Sequence, residues 1–519
     1  MQEARRTRRG TQFSPWEGFV AWKPADLVAL GFAVHQTSVL LEDLVDLAES
    51  QNQSQNEEEG GAEGGSEDED IQASSSRLPH ESPPPSSPSV PLSPRHPPPL
   101  VLPLPSETRL PPPSPSQAKD RKKAEYRKGR RQKKRQELAS NPFRRRTLVN
   151  STPTHLILET QRLDVDFNAA ELKTTKGGHW LGVGDRPPPK MKNRPDSERW
   201  ANLRLRKVKE LVGKSKYFYV AWDGRCPLLI LDRHGRIIVV FVPGPDDPEW
   251  PSVAAAAAEA LRKAREAGIR NGAFPLDPNA HRRGRFFTLK SGVSHGGGQK
   301  SPKNTDISAA EQPLVESLLE DKNVRRICGF QSSAFRTWAP KLFNDYVTDL
   351  QDLFENDPTL KLNFTNSLFP SVTFNLGPQS ASFEHLDDKN RALGWCAITS
   401  SGNFDATKSG HLHLRELKLV VEFPSSTTSY IPSAVVHHGN TPLAHHETRY
   451  SITQYAAGGL FRYVQYKFRT AKKVLEAGGE DLKRTYDRGP GERHKAGLDL
   501  FSKADELMAD HVACFSRNK

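Results

Sequence analysis

The stretch "SASFEHLDDKNRALGWCAITSSGNFD" (Ser380–Asp405) reads as a strand that runs into a histidine beside carboxylates and leaves as a second apolar strand. His385-Leu386-Asp387 is the only His-x-Asp in the chain. On a strand, residues i and i+2 share a face, so this imidazole and carboxylate can reach one metal ion from a rigid edge. Such a centre needs a third ligand. The strand ending "IPSAVVHHGN" (Ile431–Asn440) offers His437 or His438, far enough along for a return across a barrel. Two imidazoles and one carboxylate with open positions form the ligand set of non-haem Fe(II) oxygenases. Arg449-Tyr450-Ser451 follows, again alternating on a predicted strand. An arginine fork plus a hydroxyl binds a carboxylate through charge-assisted bonds. Iron, a two-oxygen chelator and a carboxylate anchor together predict Fe(II), 2-oxoglutarate and O2 as the cofactor set.

Outward from this stretch, the sequence from Pro370 has the texture of short strands: "SVTFNLG", "SASFEHL", "GWCAITS", "HLHLRELKLVVEFP", "TTSYIPSAVVHH" and "RYSITQYAAGGLFRYV". Their spacing predicts a sandwich or barrel with helices packed outside, an α+β chain. Upstream, "KYFYVAWDGRCPLLILDRHGRIIVVFVPG" predicts a meander of three strands around the turn signals "WDGR" and "DRHGR". "PEWPSVAAAAAEALRKAREAGIRNG" predicts a helix with Ser252 as N-cap and Gly268 or Gly272 as its stop. The glycine-rich "SGVSHGGGQKSPKN" (Ser291–Asn304) lacks the spacing of a phosphate-binding loop. His411 and His413 in "GHLHL" share a strand face and either line the pocket or, the preferred reading, are exposed edge residues, and His445 and His446 read as loop residues.

Only 35% of the 519 residues are hydrophobic and 41 are proline, so a sizeable part of the chain cannot be core. Asp26–Ser50 has the apolar spacing of an amphipathic helix. Gln51 to about Gln117 is acidic, then Pro/Ser-rich, and is expected to be disordered. "KDRKKAEYRKGRRQKKRQ" (Lys119–Gln136) predicts phosphate contacts and nuclear import. A net charge of +12 favours a polyanionic partner. The four cysteines contain no C-x-x-C pair, so neither a disulfide framework nor a thiolate zinc site is expected. No apolar run approaches the roughly eighteen residues of a membrane span, and Glu17, Lys23 and Asp26 interrupt any signal-peptide core. The reading divides the chain into 1–50 with one helix, a 51–150 linker, 151–290 opening the folded unit, 291–470 holding the dioxygenase core, and a helical tail over 471–519.

The block "HLDDKNRALGWCAITSSGNFD…GHLHLRELKLVVEFP…IPSAVVHHGN…ETRYSITQYAAGGLFRYV" resembles the fungal, transposon-associated branch of the TET/JBP family. These are Fe(II)- and 2-oxoglutarate-dependent dioxygenases acting on methylated bases in DNA. "SGVSHGGGQKSPKN" and "GFQSSAFRTWAPKLF" are similar to that branch as well, so the resemblance spans about Tyr217–Phe468. It implies a double-stranded β-helix (jelly-roll) core with flanking helices after the long disordered N-terminal region. It implies iron held by His385, Asp387 and His438, the last chosen because "HGN" fits the branch pattern. Arg449 and Ser451 would hold 2-oxoglutarate, Asn390 would hydrogen-bond a flipped cytosine, Tyr455 would lie near that base, and Lys300 would touch DNA phosphate. Animal members carry a histidine two past the tyrosine, where this chain has Ala457. The implied activity is oxidation of 5-methylcytosine in DNA to 5-hydroxymethylcytosine and further. The alternatives are the same chemistry on another nucleobase, RNA or a protein side chain, or a catalytically silent DNA-binding protein of mobile-element descent.

Overall fold

In the computed structural model, the apolar runs "LLIL" and "IIVVFV" become two fully buried antiparallel strands, Leu228–Leu231 and Ile237–Val242. A continuous apolar run has no solvent face to offer, so both strands lie inside a sheet covered on each side. The structure describes residues 160–175, 183–186, 203–274, 283–296, 298–487 and 489–515, with isolated residues at 5–6, 12–13, 20–21, 126, 129–130, 132–133 and 141–143. The expected helix over 26–50 and the linker to Gln117 lie outside the described residues, as does most of the basic run.

The strands of the two larger sheets from Gln161 onward, in chain order, are β1 Gln161–Asp164, β2 Phe218–Val220, β3 Leu228–Leu231, β4 Ile237–Val242, β5 Thr288–Ser294, β6 Lys303–Asn304, β7 Ser371–Asn375, β8 Cys396–Asn403, β9 Leu412–Leu414, β10 Leu419–Val421, β11 Thr428–Ile431, β12 His438–Asn440 and β13 Thr448–Tyr455. The large sheet runs β6-β5-β7-β13-β8-β11-β4-β3-β1, with Val20–Ala21 at its far edge. A smaller sheet runs β12-β9-β10-β2. Four helices, α1 Trp250–Arg270, α2 Gln312–Glu320, α3 Lys322–Trp338 and α4 Pro340–Asn356, pack together, and α1 and α3 also meet β8 and β13. The expected mixture of large sheets and flanking helices is therefore present. Phe335 of α3 stacks on Phe369 and meets Trp395 and Tyr430 at the centre of this layer. A buried amide network ties α3 to the sheet: Gln331 donates to Thr399 Oγ1 and the Ile452 carbonyl, and Gln454 donates to Gln331 Oε1.

Four local expectations change. The last predicted strand, "RYSITQYAAGGLFRYV", ends at Tyr455, and Gly458–Gln465 is a helix. The meander is a hairpin plus a strand that leaves, because β2 pairs in parallel with β10 in the smaller sheet. Helix α1 starts at Trp250, before Ser252, because Pro251 in its first turn needs no intrahelical N–H partner. Gly268 lies inside α1, where a Cβ would stand 2.2 Å from Phe274, and Gly272 past the end takes φ +72°. "SASFEHL" is not a regular strand. Its amides go in turn to Arg449, Gln379, Arg283 and His438, so it bridges several segments instead of pairing with one.

Candidate metal and anion site

His385 and His438 form an isolated antiparallel bridge, each amide donating to the other's carbonyl at 2.9 and 3.0 Å. Their rings stand 4.3 Å apart between centroids. Each ring also uses Nδ1 the same way: His385 Nδ1 lies 2.6 Å from the Phe383 carbonyl and His438 Nδ1 lies 3.0 Å from the Val436 carbonyl. A carbonyl only accepts, so the proton sits on Nδ1 and the lone pair on Nε2. Both Nε2 atoms turn to Asp387, at 3.9 Å from Oδ1 for His385 and 3.8 Å from Oδ2 for His438. The three ligand atoms lie within 4.8 Å of one another. Asp387 reaches them from the turn after the bridge, its amide donating to the Ser433 carbonyl.

The electrostatics fit the same arrangement. Burial, then the Arg283 charge and the second imidazole, hold His385 well below the ordinary imidazole range, and burial lowers His438. Burial alone would raise Asp387, but neighbouring groups, the Arg283 guanidinium first, outweigh it and keep the carboxyl well below the usual range. Two neutral nitrogens and one ionised carboxylate are the protonation states that metal binding requires.

The alternative between His437 and His438 is decided by neighbouring strand residues facing opposite ways. His437 Nδ1 lies 2.7 Å from Glu416 Oε1, and its amide donates to the same carboxylate, away from the cluster. The histidines read as exposed edge residues are in fact buried: His411 contacts Thr441 and Tyr219, and His413 lies 3.6 Å from Glu384. His445 and His446 are exposed between β12 and β13.

Arg449 is 2% exposed and gives one hydrogen bond, to the Ser380 carbonyl at 2.5 Å. Its Nε is buried without a partner, and no carboxylate among the described residues pairs with it. Burial lowers its pKa to about 10, which still leaves it charged at neutral pH. The Phe404 and Phe423 rings face it at 5.9 and 5.5 Å, and a buried guanidinium with no carboxylate partner and spare donors can take an anion. Ser451, two residues on and so on the same strand face, accepts from Asn375 Nδ2 at 2.8 Å and keeps its own proton to give. The segment from Pro378 to His385 holds this strand at one end and His438 at the other, since Arg449 N donates to Pro378 and His385 N to His438.

Asn390 is buried, with Nδ2 3.0 Å from Ser433 Oγ and its backbone bridged to Ala457. Tyr455 OH accepts from Thr373 and feels the charges of Asp387 and Arg283. Lys300 is exposed in the loop between β5 and β6, and no contact with the cluster joins it among the described residues. Arg283 was not legible in the sequence. It donates to Asp387 Oδ1 and to the Leu386 carbonyl from a hundred and four and a hundred and three residues away, and no spacing rule reaches that far.

No family model matches the chain, and no curated protein matches it. Solved structures do. One, described as NgTET1 in complex with 5mC DNA, is 17% identical, covers 49% of this chain and 90% of its own, and has a TM-score of 0.34. Another, described as the structure of OsALKBH1, is 11% identical, covers 42% of this chain and 96% of its own, and has a TM-score of 0.22. Likeness this low says nothing about chemistry.

Proposed function

We propose that the chain is an Fe(II)- and 2-oxoglutarate-dependent dioxygenase that oxidises 5-methylcytosine in DNA. The observations that carry the chemistry are the His385, Asp387 and His438 cluster and Arg449, a buried cation with no carboxylate partner among the described residues on a strand tied to the cluster through the 378–385 segment. His385 and His438 would bind iron through Nε2, and Asp387 through its carboxylate, in the two-histidine, one-carboxylate set. Iron with 2-oxoglutarate supplies the power to oxidise an unactivated methyl group with O2. Arg449 and Ser451, on one face of β13, would hold a carboxylate of 2-oxoglutarate. Arg283 keeps Asp387 ionised and stops its carboxylate from swinging. We read the smaller sheet and the β5 to β13 part of the large sheet as the two halves of a double-stranded β-helix.

The substrate assignment rests on the sequence resemblance and on the polar groups beside the cluster. A base buried in a duplex must be turned out to reach iron, and its polar edge must then be read. Asn390 supplies that reading group and Tyr455 a flat wall. The basic run Lys119–Gln136 supplies phosphate contacts and nuclear import. Succinate formation from 2-oxoglutarate, measured with and without iron over a panel of methylated DNA, unmethylated DNA and RNA oligonucleotides, tests the proposal. Turnover stimulated by methylated DNA supports it. Turnover stimulated equally by every oligonucleotide would leave the chemistry and remove the substrate, and no turnover would leave a DNA-binding protein.

A further inference from the structure

Two loops meet at Arg449. Loop 404–409, between β8 and β9, brings the Phe404 ring to 5.9 Å from the guanidinium, and the Phe423 ring faces it at 5.5 Å. Phe423 is fully buried and Phe404 half-buried, so Phe404 is the outer of the two walls. Gly402 and Gly410 bracket the loop, with φ of +115° and +66°. A Cβ on Gly402 would stand 2.4 Å from the Thr448 carbonyl oxygen, and one on Gly410 3.2 Å from the Phe404 ring and 3.4 Å from Arg449 Cδ. Glycine at both ends therefore lets the loop lie against β13. Glu447 ties it to loop 441–447, between β12 and β13: Oε1 accepts from the Asp405 amide at 2.8 Å and Oε2 from the Ala444 amide at 2.7 Å. Gln379, next to the Ser380 that accepts from Arg449, donates to the Ala444 carbonyl at 2.7 Å. These contacts run from Arg449 through both loops and back to it. Tyr219 Oη also stands 3.2 Å from the Thr407 carbonyl, but its one proton serves the nearer Glu422 carboxylate at 2.7 Å, which leaves Glu447 as the stronger tie.

We propose that Glu447 and Phe404 are positioning residues that close loop 404–409 over the Arg449 anion site, and that this closure gives the site its preference for a 2-oxo dicarboxylate. The inference rests on the 2-oxoglutarate reading above. An ion pair open to water is worth little, because solvent screens it and competes for both partners. The same pair walled off from water is worth far more. Phe404 acts by excluding water from the bond that Arg449 makes. Glu447 acts one step further back, its two bonds to backbone amides setting where Phe404 stands.

The test is isothermal titration of full-length protein loaded with Zn(II), which has no redox chemistry, using 2-oxoglutarate and 2-oxopentanoate. The second acid carries a methyl group where the first carries its distal carboxylate, so the ratio of the two affinities reads the Arg449 site alone. Wild type is expected to prefer 2-oxoglutarate by about a hundredfold. Glu447→Ala and Phe404→Ala are each expected to cut that preference to about fivefold, the worth of an exposed pair, with affinities for 2-oxopentanoate and Zn(II) within about twofold of wild type. Phe404→Leu, which keeps an apolar wall, is expected to retain most of the ratio. Should Glu447→Ala not fold, Phe404→Ala decides, since its side chain is only half-buried. A folded alanine variant with the wild-type ratio, or an equal loss for both acids, overturns the inference alone. A wild type that binds neither acid overturns the 2-oxoglutarate reading and the inference with it, so the wild-type curve tells the two failures apart.

Discussion

Arg449 separates binding from stability at the scale of one residue. Among the described residues no carboxylate pairs with it and only the Phe404 and Phe423 rings offset its charge, so Arg449→Met should raise the KM for 2-oxoglutarate by about a hundredfold while the metal-free protein unfolds at no lower temperature. Arg449→Lys should recover little, because a point charge cannot reproduce the fork. Steady-state kinetics and thermal melts check both, and an unchanged KM would remove Arg449 from the anion site. A second prediction concerns pH. Burial pushes His411 and His511 down to about 4, below an unfolded imidazole near 6.5. Groups with depressed folded pKa bind more protons when unfolded, so stability is full above about pH 6.5 and falls as pH drops towards 4. Urea melts of metal-free protein at stepped pH should show that decline, and a flat profile would contradict it. What was legible at this scale was local: His385 and Asp387 stand two apart, and Arg449 and Ser451 two apart. Arg283 and Ser433 were not legible, since their partners are brought to them only by the fold.

At the scale of elements, the site depends on a three-residue strand. A Cβ on Gly439 would stand 2.9 Å from the Glu384 amide and 2.9 Å from His413 Nε2. Gly439→Ala should push β12 off the Ser382–His385 segment, cost about 1–3 kcal/mol of stability and weaken metal binding by displacing His438. Isothermal titration with Fe(II) under anaerobic conditions, beside a urea melt, reads both effects. Gln331→Leu should cost about 2 kcal/mol or more, because it leaves Gln454 and Thr399 buried with fewer partners. Strands β3, β4, β7, β8, β11 and β13 of the large sheet were legible from β-branched runs and turn residues, whereas β1, β5 and β6 were not read as strands. The destination of β2 was not, because a three-residue strand pairs with whichever edge the fold presents, and "KYFYV" carries no signal for parallel pairing with β10. The Ser380–Asp387 segment was read as a strand for the same reason: alternation shows which faces are apolar, not where each amide finds its partner.

At the scale of the whole molecule, charge and core are separated along the chain. Lys119–Gln136 carries eleven Lys and Arg against two carboxylates, while the buried residues of the site lie beyond Lys209. Removing residues 1–150 should leave iron-dependent turnover of 2-oxoglutarate intact. DNA binding should become weaker and its salt dependence shallower, by about 0.9 in log–log slope for each phosphate that the basic run neutralises. Affinity measured across a salt series checks this, and an unchanged slope would free the basic run from that role. Composition alone suggests this division, and the proposed substrate comes only through resemblance. The most direct measurement of the central claim is mass spectrometry of nucleosides from a 5-methylcytosine duplex incubated with protein, Fe(II), ascorbate and 2-oxoglutarate. The account predicts oxidised methylcytosine with the wild type and none with a His385→Ala, Asp387→Ala variant. Unchanged 5-methylcytosine with both, from protein that binds iron and 2-oxoglutarate, would contradict it.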